Sequence, residues 1–317
     1  MTEFGYWLSS EEHQPLQLVR NAARAEELGF SFAMISDHFH PWTDAQGSSP
    51  FVWSVLGGIA EATERIELAT GVTCPLIRTH PAIVAHAAAT VGALAPGRFT
   101  LGLGTGESLN EHVLGDRWPA PDERIELLEE AIEVIRLLWR GGEQTHRGKH
   151  YTVDHARLYT LPREPIPLAV AAAKPKAAEL AGRVGGGLVS TEPSEETVAQ
   201  YEGAGGDGPR YGQVRICWAD DEKEAKRTVF ELWRHSGLGG TMNQELPRPS
   251  DFESVAESVT LEMATEGVPC GPDPAPVLEE LEKWQKAGFD RIALHQVGPD
   301  QEGFFRFWEQ ELQPKLT

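Results

Sequence analysis

Short apolar runs alternate with longer amphipathic stretches along almost the whole chain, and that rhythm constrains the fold more than any motif. The apolar runs predict strands over 4–8, 31–35, 66–72, 99–103, 168–172, 187–190, 214–219 and 290–294. Helical patterns follow them over 15–28, 51–63, 81–94, 122–139, 176–184, 194–201, 221–235 and 302–312, with further helices expected at 251–266 and 275–287. Eight strands, each followed by a helix, within 317 residues predict an α/β fold, a single (β/α)8 TIM barrel. Loop insertions are expected near 104–121, 142–165 and 236–270. The first turn, Leu8-Ser9-Ser10-Glu11-Glu12, carries no glycine fingerprint, which argues against a doubly wound dinucleotide-binding sheet.

Charge and composition narrow the function classes. With 28 Lys+Arg against 48 Asp+Glu, the formal charge is −20. That field repels nucleic acid and anionic membranes, so any anionic ligand has to be met by local donors. The opening residues show no export signal, and no apolar run is long enough to span a bilayer. Cys74, Cys217 and Cys270 lie far apart and form no metal-type pair; their sparse, odd number suits a reducing cytoplasm, with all three as packing residues.

In a parallel barrel, chemistry belongs where strands end at their C-terminal side. Four ends carry suitable residues. After the second strand comes Ser36-Asp37-His38-Phe39-His40-Pro41-Trp42, which offers an acid, a titratable imidazole and a flat wall for a planar ligand. The third ends in Thr70-Gly71-Val72-Thr73, small enough for close backbone approach. The fourth ends in Gly104-Thr105-Gly106-Glu107-Ser108-Leu109-Asn110-Glu111, with exposed main-chain N–H groups and a carboxylate on the rim. The last ends in Leu294-His295-Gln296, where His295 reads equally as a catalytic group or as a hydrogen-bonded residue closing the barrel. His38 and His40 find no third ligand of metal-site spacing, so no metal is expected. The tryptophans at 53, 118, 139, 218 and 233 read as core or interface, with Trp118 a candidate pocket wall.

Together the Ser36-Asp37-His38-Phe39 and Trp42 set, the Gly71-Val72 step and the Gly104–Glu111 motif resemble the luciferase-like family of flavin and deazaflavin oxidoreductases. Within it the chain is most similar to the F420-dependent glucose-6-phosphate dehydrogenase group, over essentially its whole length. The resemblance implies coenzyme F420 at the C-terminal face of the strands and hydride transfer between a substrate carbon and deazaflavin C5. It implies His38 as general base, Trp42 as the aromatic that holds the transition state, and Glu107 as the carboxyl group beside the ring system. Asp37, Gly71, Val72, Thr105, Gly106 and Asn110 are implied as cofactor-binding residues, and Gly71-Val72 as a non-prolyl cis peptide behind the ring. Ala172, Ala173 and Lys174 stand where the family contacts the cofactor phosphate; Lys174 reads either as a phosphate ligand or as a solvated loop residue. A small-molecule substrate, a homodimer and a cytoplasmic setting complete the implication.

The chain departs from the group where lysines hold a substrate phosphate. It reads Ser190-Thr191-Glu192-Pro193 after strand six and offers only Arg248 within the later insertion. A phosphomonoester needs fixed cationic donors, so glucose 6-phosphate is expected to be a poor substrate beside a neutral alcohol or carbonyl compound. An FMN-dependent luciferase-like monooxygenase is the alternative on the same fold, and a non-catalytic ligand-binding barrel the remote one.

Overall fold

The computed structural model describes residues 2–238 and 241–316. Eight parallel strands close into a barrel: β1 (Glu3–Leu8), β2 (Phe32–Ile35), β3 (Glu67–Thr70), β4 (Phe99–Leu103), β7 (Leu168–Ala171), β8 (Gly187–Ser190), β9 (Arg210–Ile216) and β10 (Arg291–Gln296). The register of the closing pair runs from Glu3 against Arg291 to Tyr6 against Leu294. The remaining two strands, β5 (Gln144–Arg147) and β6 (Thr152–Ala156), pair as the hairpin within the 142–165 insertion.

Helices α1 (Pro15–Glu27), α2 (Val52–Ala62), α3 (Pro81–Leu94), α5 (Pro121–Trp139), α6 (Pro175–Arg183), α7 (Glu195–Gly203), α8 (Glu222–Trp233), α12 (Pro274–Lys286) and α13 (Gln301–Phe307) accompany the strands. Several open with proline in the first turn, where the missing N–H has no intrahelical acceptor to lose. The strands are apolar on both faces because one packs on these helices and the other fills the barrel. Trp7, Phe32, Met34, Ala69, Ala169, Val189, Tyr211 and Ala293 form that interior plug. The large rings come from β1, β2 and β9 and the small side chains from the facing strands, so the centre is packed and only the mouth is open.

Strand β9 and the helix expected over 251–266 differ most from the sequence expectation. Strand β9 begins at Arg210 rather than 214, because Arg210 already pairs with Leu188 of β8. It ends at Ile216 because the Cys217 N–H turns away to the Pro269 carbonyl (2.9 Å). The single helix expected over 251–266 is two, α10 (Pro249–Ala256) and α11 (Leu261–Thr265). Thr260 accepts a hydrogen bond from the Met263 N–H and so starts a new helix there. Short helices α4 (Ser108–Glu111) and α9 (Met242–Glu245) occupy the insertions near 104–121 and 236–270. Residues 239 and 240 of the latter expected insertion lie outside the described residues. Among those described, no helix is long and apolar enough to cross a membrane.

Candidate active site

Four loops at the C-terminal ends of β1, β2, β3 and β4 meet at the mouth, and side chains rather than the sheet tie them together. Asn110, 2 % exposed, accepts hydrogen bonds at Oδ1 from the N–H groups of Phe39 (2.9 Å) and His40 (3.2 Å). Its Nδ2 donates to Glu107 Oε2 (3.3 Å). The amide expected at the cofactor is therefore already engaged in holding the β2 loop against the rim carboxylate. Asp37 is buried in the same way: its Oδ2 accepts from the Thr73 hydroxyl (2.8 Å) and its Oδ1 from Arg78 (3.0 Å). Arg78 also donates to the fully buried Glu111. Burial raises the Glu111 pKa, and the adjacent Arg78 only partly opposes it.

The Gly71–Val72 bond is cis, as the resemblance implied. A Cβ at Gly71 would come within 2.6 Å of the Trp7 ring, so only glycine fits between the plug and the mouth. Gly106 has φ +70°, and a Cβ there would stand 2.5 Å from Cys74 Sγ. Among the described residues, the N–H groups of Thr105, Gly106 and Glu107 have no protein acceptor. A loop of free donors, a close-packed glycine shelf and a rim carboxylate suit a flat, acceptor-rich ring. Ala173 and Lys174 are exposed at the start of α6, and among the described residues Lys174 makes no ion pair, whereas Lys176 is held by Asp122 (2.7 Å).

His38 is oriented from both sides. Its Nδ1 lies 3.2 Å from the His40 carbonyl oxygen, an acceptor for a proton on that nitrogen. Nε2 lies 3.3 Å from Glu11 Oε1. Glu11 is itself held at Oε2 by the hydroxyls of Ser36 (2.6 Å) and Ser9 (3.0 Å). Trp42 leans on His38 at a ring-centroid distance of 5.1 Å and stacks on His235 at 5.2 Å, with Phe252 edge-on at 5.3 Å. The site thus contains an imidazole held between a carbonyl and a buried carboxylate, and an aromatic wall.

The first turn, unremarked for chemistry in the sequence, supplies the two most engaged acids of the mouth. Glu12 accepts from Trp233 Nε1 (2.8 Å), His295 Nε2 (3.0 Å) and the Gly298 N–H (2.7 Å). Burial alone would raise its pKa, but the His295 hydrogen bond, neighbouring imidazoles and the Gly298 N–H together lower it. His295 settles as a barrel-closing residue: it is 0 % exposed, and its Nδ1 meets Gln213 Nε2 at 3.1 Å. Trp233 belongs to this cluster rather than to a remote core. Adjacent Ser and Glu at the end of a first barrel strand were a usable signal, since such a position faces the mouth. Trp118, the candidate pocket wall, packs under the Arg124 guanidinium at 4.4 Å. The only other sizeable groove described, about 500 Å³ between Trp139, Arg140 and the 161–168 segment, lies at the N-terminal ends of the strands and far from this chemistry.

His235 provides a pH handle. Burial, with help from Arg215 and His38, pushes its pKa down from 6.5 to about 3. The unfolded chain therefore takes up this proton first. The stabilising term is complete above pH 6.5 and is lost as the pH falls toward 3. Relative to His235→Gln, the native chain should lose about 1.4 kcal/mol more stability for each pH unit between 6.5 and about 3. Urea midpoints measured between neutral and mildly acidic pH read this directly; parallel slopes for the two proteins would show that the ring is hydrated.

Residues 1–291 match the family model described as luciferase-like monooxygenase. The chain is 32 % identical to an F420-dependent glucose-6-phosphate dehydrogenase of Microbacterium testaceum, covering 99 % of this chain and 97 % of that protein. It is 35 % identical to one of Beutenbergia cavernae, covering 100 % and 98 %. In three dimensions it superposes on an F420-dependent secondary alcohol dehydrogenase, solved with an F420–acetone adduct, with a TM-score of 0.91 at 29 % identity and 98 % of both chains covered.

Proposed function

The chain belongs to the luciferase-like monooxygenase family, and from that membership we propose that it is an F420-dependent dehydrogenase or reductase acting on an alcohol or carbonyl group. The observation that carries the reading is the His38 constellation: an imidazole held between the His40 carbonyl and a buried Glu11, with Trp42 as a wall. Bound F420 would supply a deazaflavin C5 that accepts or donates hydride.

The chain's own residues handle the proton. His38 Nε2 takes it from the substrate hydroxyl as the C–H bond breaks, which eases departure of hydride. Glu11 lies within ionic reach of the imidazolium that forms, and the hydroxyls of Ser9 and Ser36 keep that carboxylate in place. Trp42, stacked on His235, limits the substrate to one face. Glu107, tied by Asn110, stands at the rim where it can meet the ring system. Gly71, Val72, Thr105 and Gly106 form the shelf for the cofactor, Asp37 supports it through Thr73 and Arg78, and Ala172, Ala173 and Lys174 meet its phosphate at the start of α6. F420 is favoured over FMN because the relatives at 32 % and 35 % identity are named for F420. A homodimer and a cytoplasmic setting, the latter supported by three free cysteines, belong to the same proposal.

Titrating the apoprotein with F420 is expected to change the cofactor's fluorescence with micromolar or tighter affinity. Tight FMN binding without any F420 response would transfer the chain to the monooxygenase alternative. Glucose 6-phosphate should turn over poorly. Thr191, Glu192 and Pro193 are exposed where a lysine was sought, and Arg248 is held by Asp251 (2.7 Å). A kcat/KM for the sugar phosphate equal to that for a simple secondary alcohol, at fixed F420, would contradict this.

A further inference from the structure

The mouth holds a second group of polar side chains that the proton chemistry does not use. Along β9, Tyr211 faces inward in the plug and Gln213 faces inward to His295. The alternation of a strand therefore turns Arg215 inward too, level with His295, its register partner on β10. The Arg215 guanidinium carbon lies 5.4 Å from the centre of the Trp233 ring. Among the described residues no carboxylate, carbonyl or hydroxyl accepts a hydrogen bond from it. The residue is half-buried, and burial pushes its pKa down to about 10, with Glu12 partly opposing.

His235 packs against the same indole, at 5.3 Å between ring centres. It is 2 % exposed, and among the described residues its Nδ1 has no hydrogen-bond partner. The nearby acids are engaged elsewhere. Glu11 has Ser9, Ser36 and His38; Glu12 has Trp233, His295 and Gly298. Holding a forked cation half-buried and an imidazole fully buried without protein acceptors or donors is unfavourable, unless a polar partner arrives with the ligand.

We propose that Arg215, with His235 beside it, anchors a carboxylate of the substrate, so that the compound oxidised or reduced is a hydroxy acid or an oxo acid. A guanidinium fork matches a carboxylate bidentately, and one cation matches one negative charge. A phosphate dianion would lack its second cation and would face Glu11 and Glu12. Trp42 stands between His38 and His235, so the carboxylate is placed several bonds from the reacting carbon. The identity of the reacting group rests on the dehydrogenase reading; the anion site does not.

Binding is therefore measured without cofactor, from the fluorescence of Trp42 and Trp233, using 4-hydroxypentanoate and its methyl ester as probes. The native protein should bind the acid at least about tenfold more tightly than the ester. Arg215→Met should erase that preference and Arg215→Lys keep part of it, in proteins whose circular dichroism matches the native chain. Equal affinity for acid and ester in the native protein would overturn the site, as would a preference that survives Arg215→Met. Should that variant fail to fold, the acid-to-ester ratio of the native protein decides alone. A protein that prefers the acid but does not bind F420 would refute the dehydrogenase reading and leave the anion site standing. One that turns over alcohols with F420 but ignores the carboxylate would do the reverse.

Discussion

Replacing His38 by alanine is expected to lower turnover roughly 10²–10⁴-fold, the usual contribution of a positioned acid–base group, while F420 affinity stays within about threefold. The split follows from placement. The ring sits 10 % exposed between the His40 carbonyl and Glu11. The proposed cofactor shelf is built from other loops. Glu11→Gln should slow the reaction by a smaller factor, because the amide keeps the Ser9 and Ser36 hydrogen bonds but no longer balances an imidazolium. Steady-state kcat and a fluorescence titration of the cofactor separate the two effects. A His38→Ala enzyme running near the native rate would make His38 structural and require another base.

Glu12→Ala should be the most damaging substitution for the fold outside the central plug, costing about 3–5 kcal/mol. One carboxylate, 3 % exposed, satisfies Trp233, His295 and Gly298, which come from the end of α8, from β10 and from the loop after it. Alanine leaves three donors buried without an acceptor where the barrel closes. Glu12→Gln should cost less, since its one carbonyl oxygen can still accept from one or two of them. Denaturant midpoints for the three proteins test this. An alanine variant within about 0.5 kcal/mol of the native chain would mean that water reaches these donors.

The strand–helix rhythm was legible because period-two and period-3.6 patterns depend on neighbours in the chain. Errors came where a distant segment decided. Pairing with β8 moved the start of β9 to Arg210, and the Pro269 carbonyl ended the strand by taking the Cys217 N–H. In the site, the acid–imidazole–indole loop and the glycine-rich rim stood out because each is concentrated within a few consecutive residues. Asn110 was visible, but its function as a clamp on Phe39 and His40 was not.

By itself the sequence determined an acidic α/β barrel and marked its second, third and fourth strand ends as the candidate site. Tertiary structure alone decided how the mouth is wired. Glu11 meets His38 across 27 positions of chain, and Glu12 meets His295 across 283. Closing the barrel brings β1 against β10, which have no neighbour relation in the sequence. In the sequence, Arg215 is the one charge within the apolar run 214–219. Its meaning depends on which acceptors are missing around it, and that is a property of packing, which no local pattern encodes.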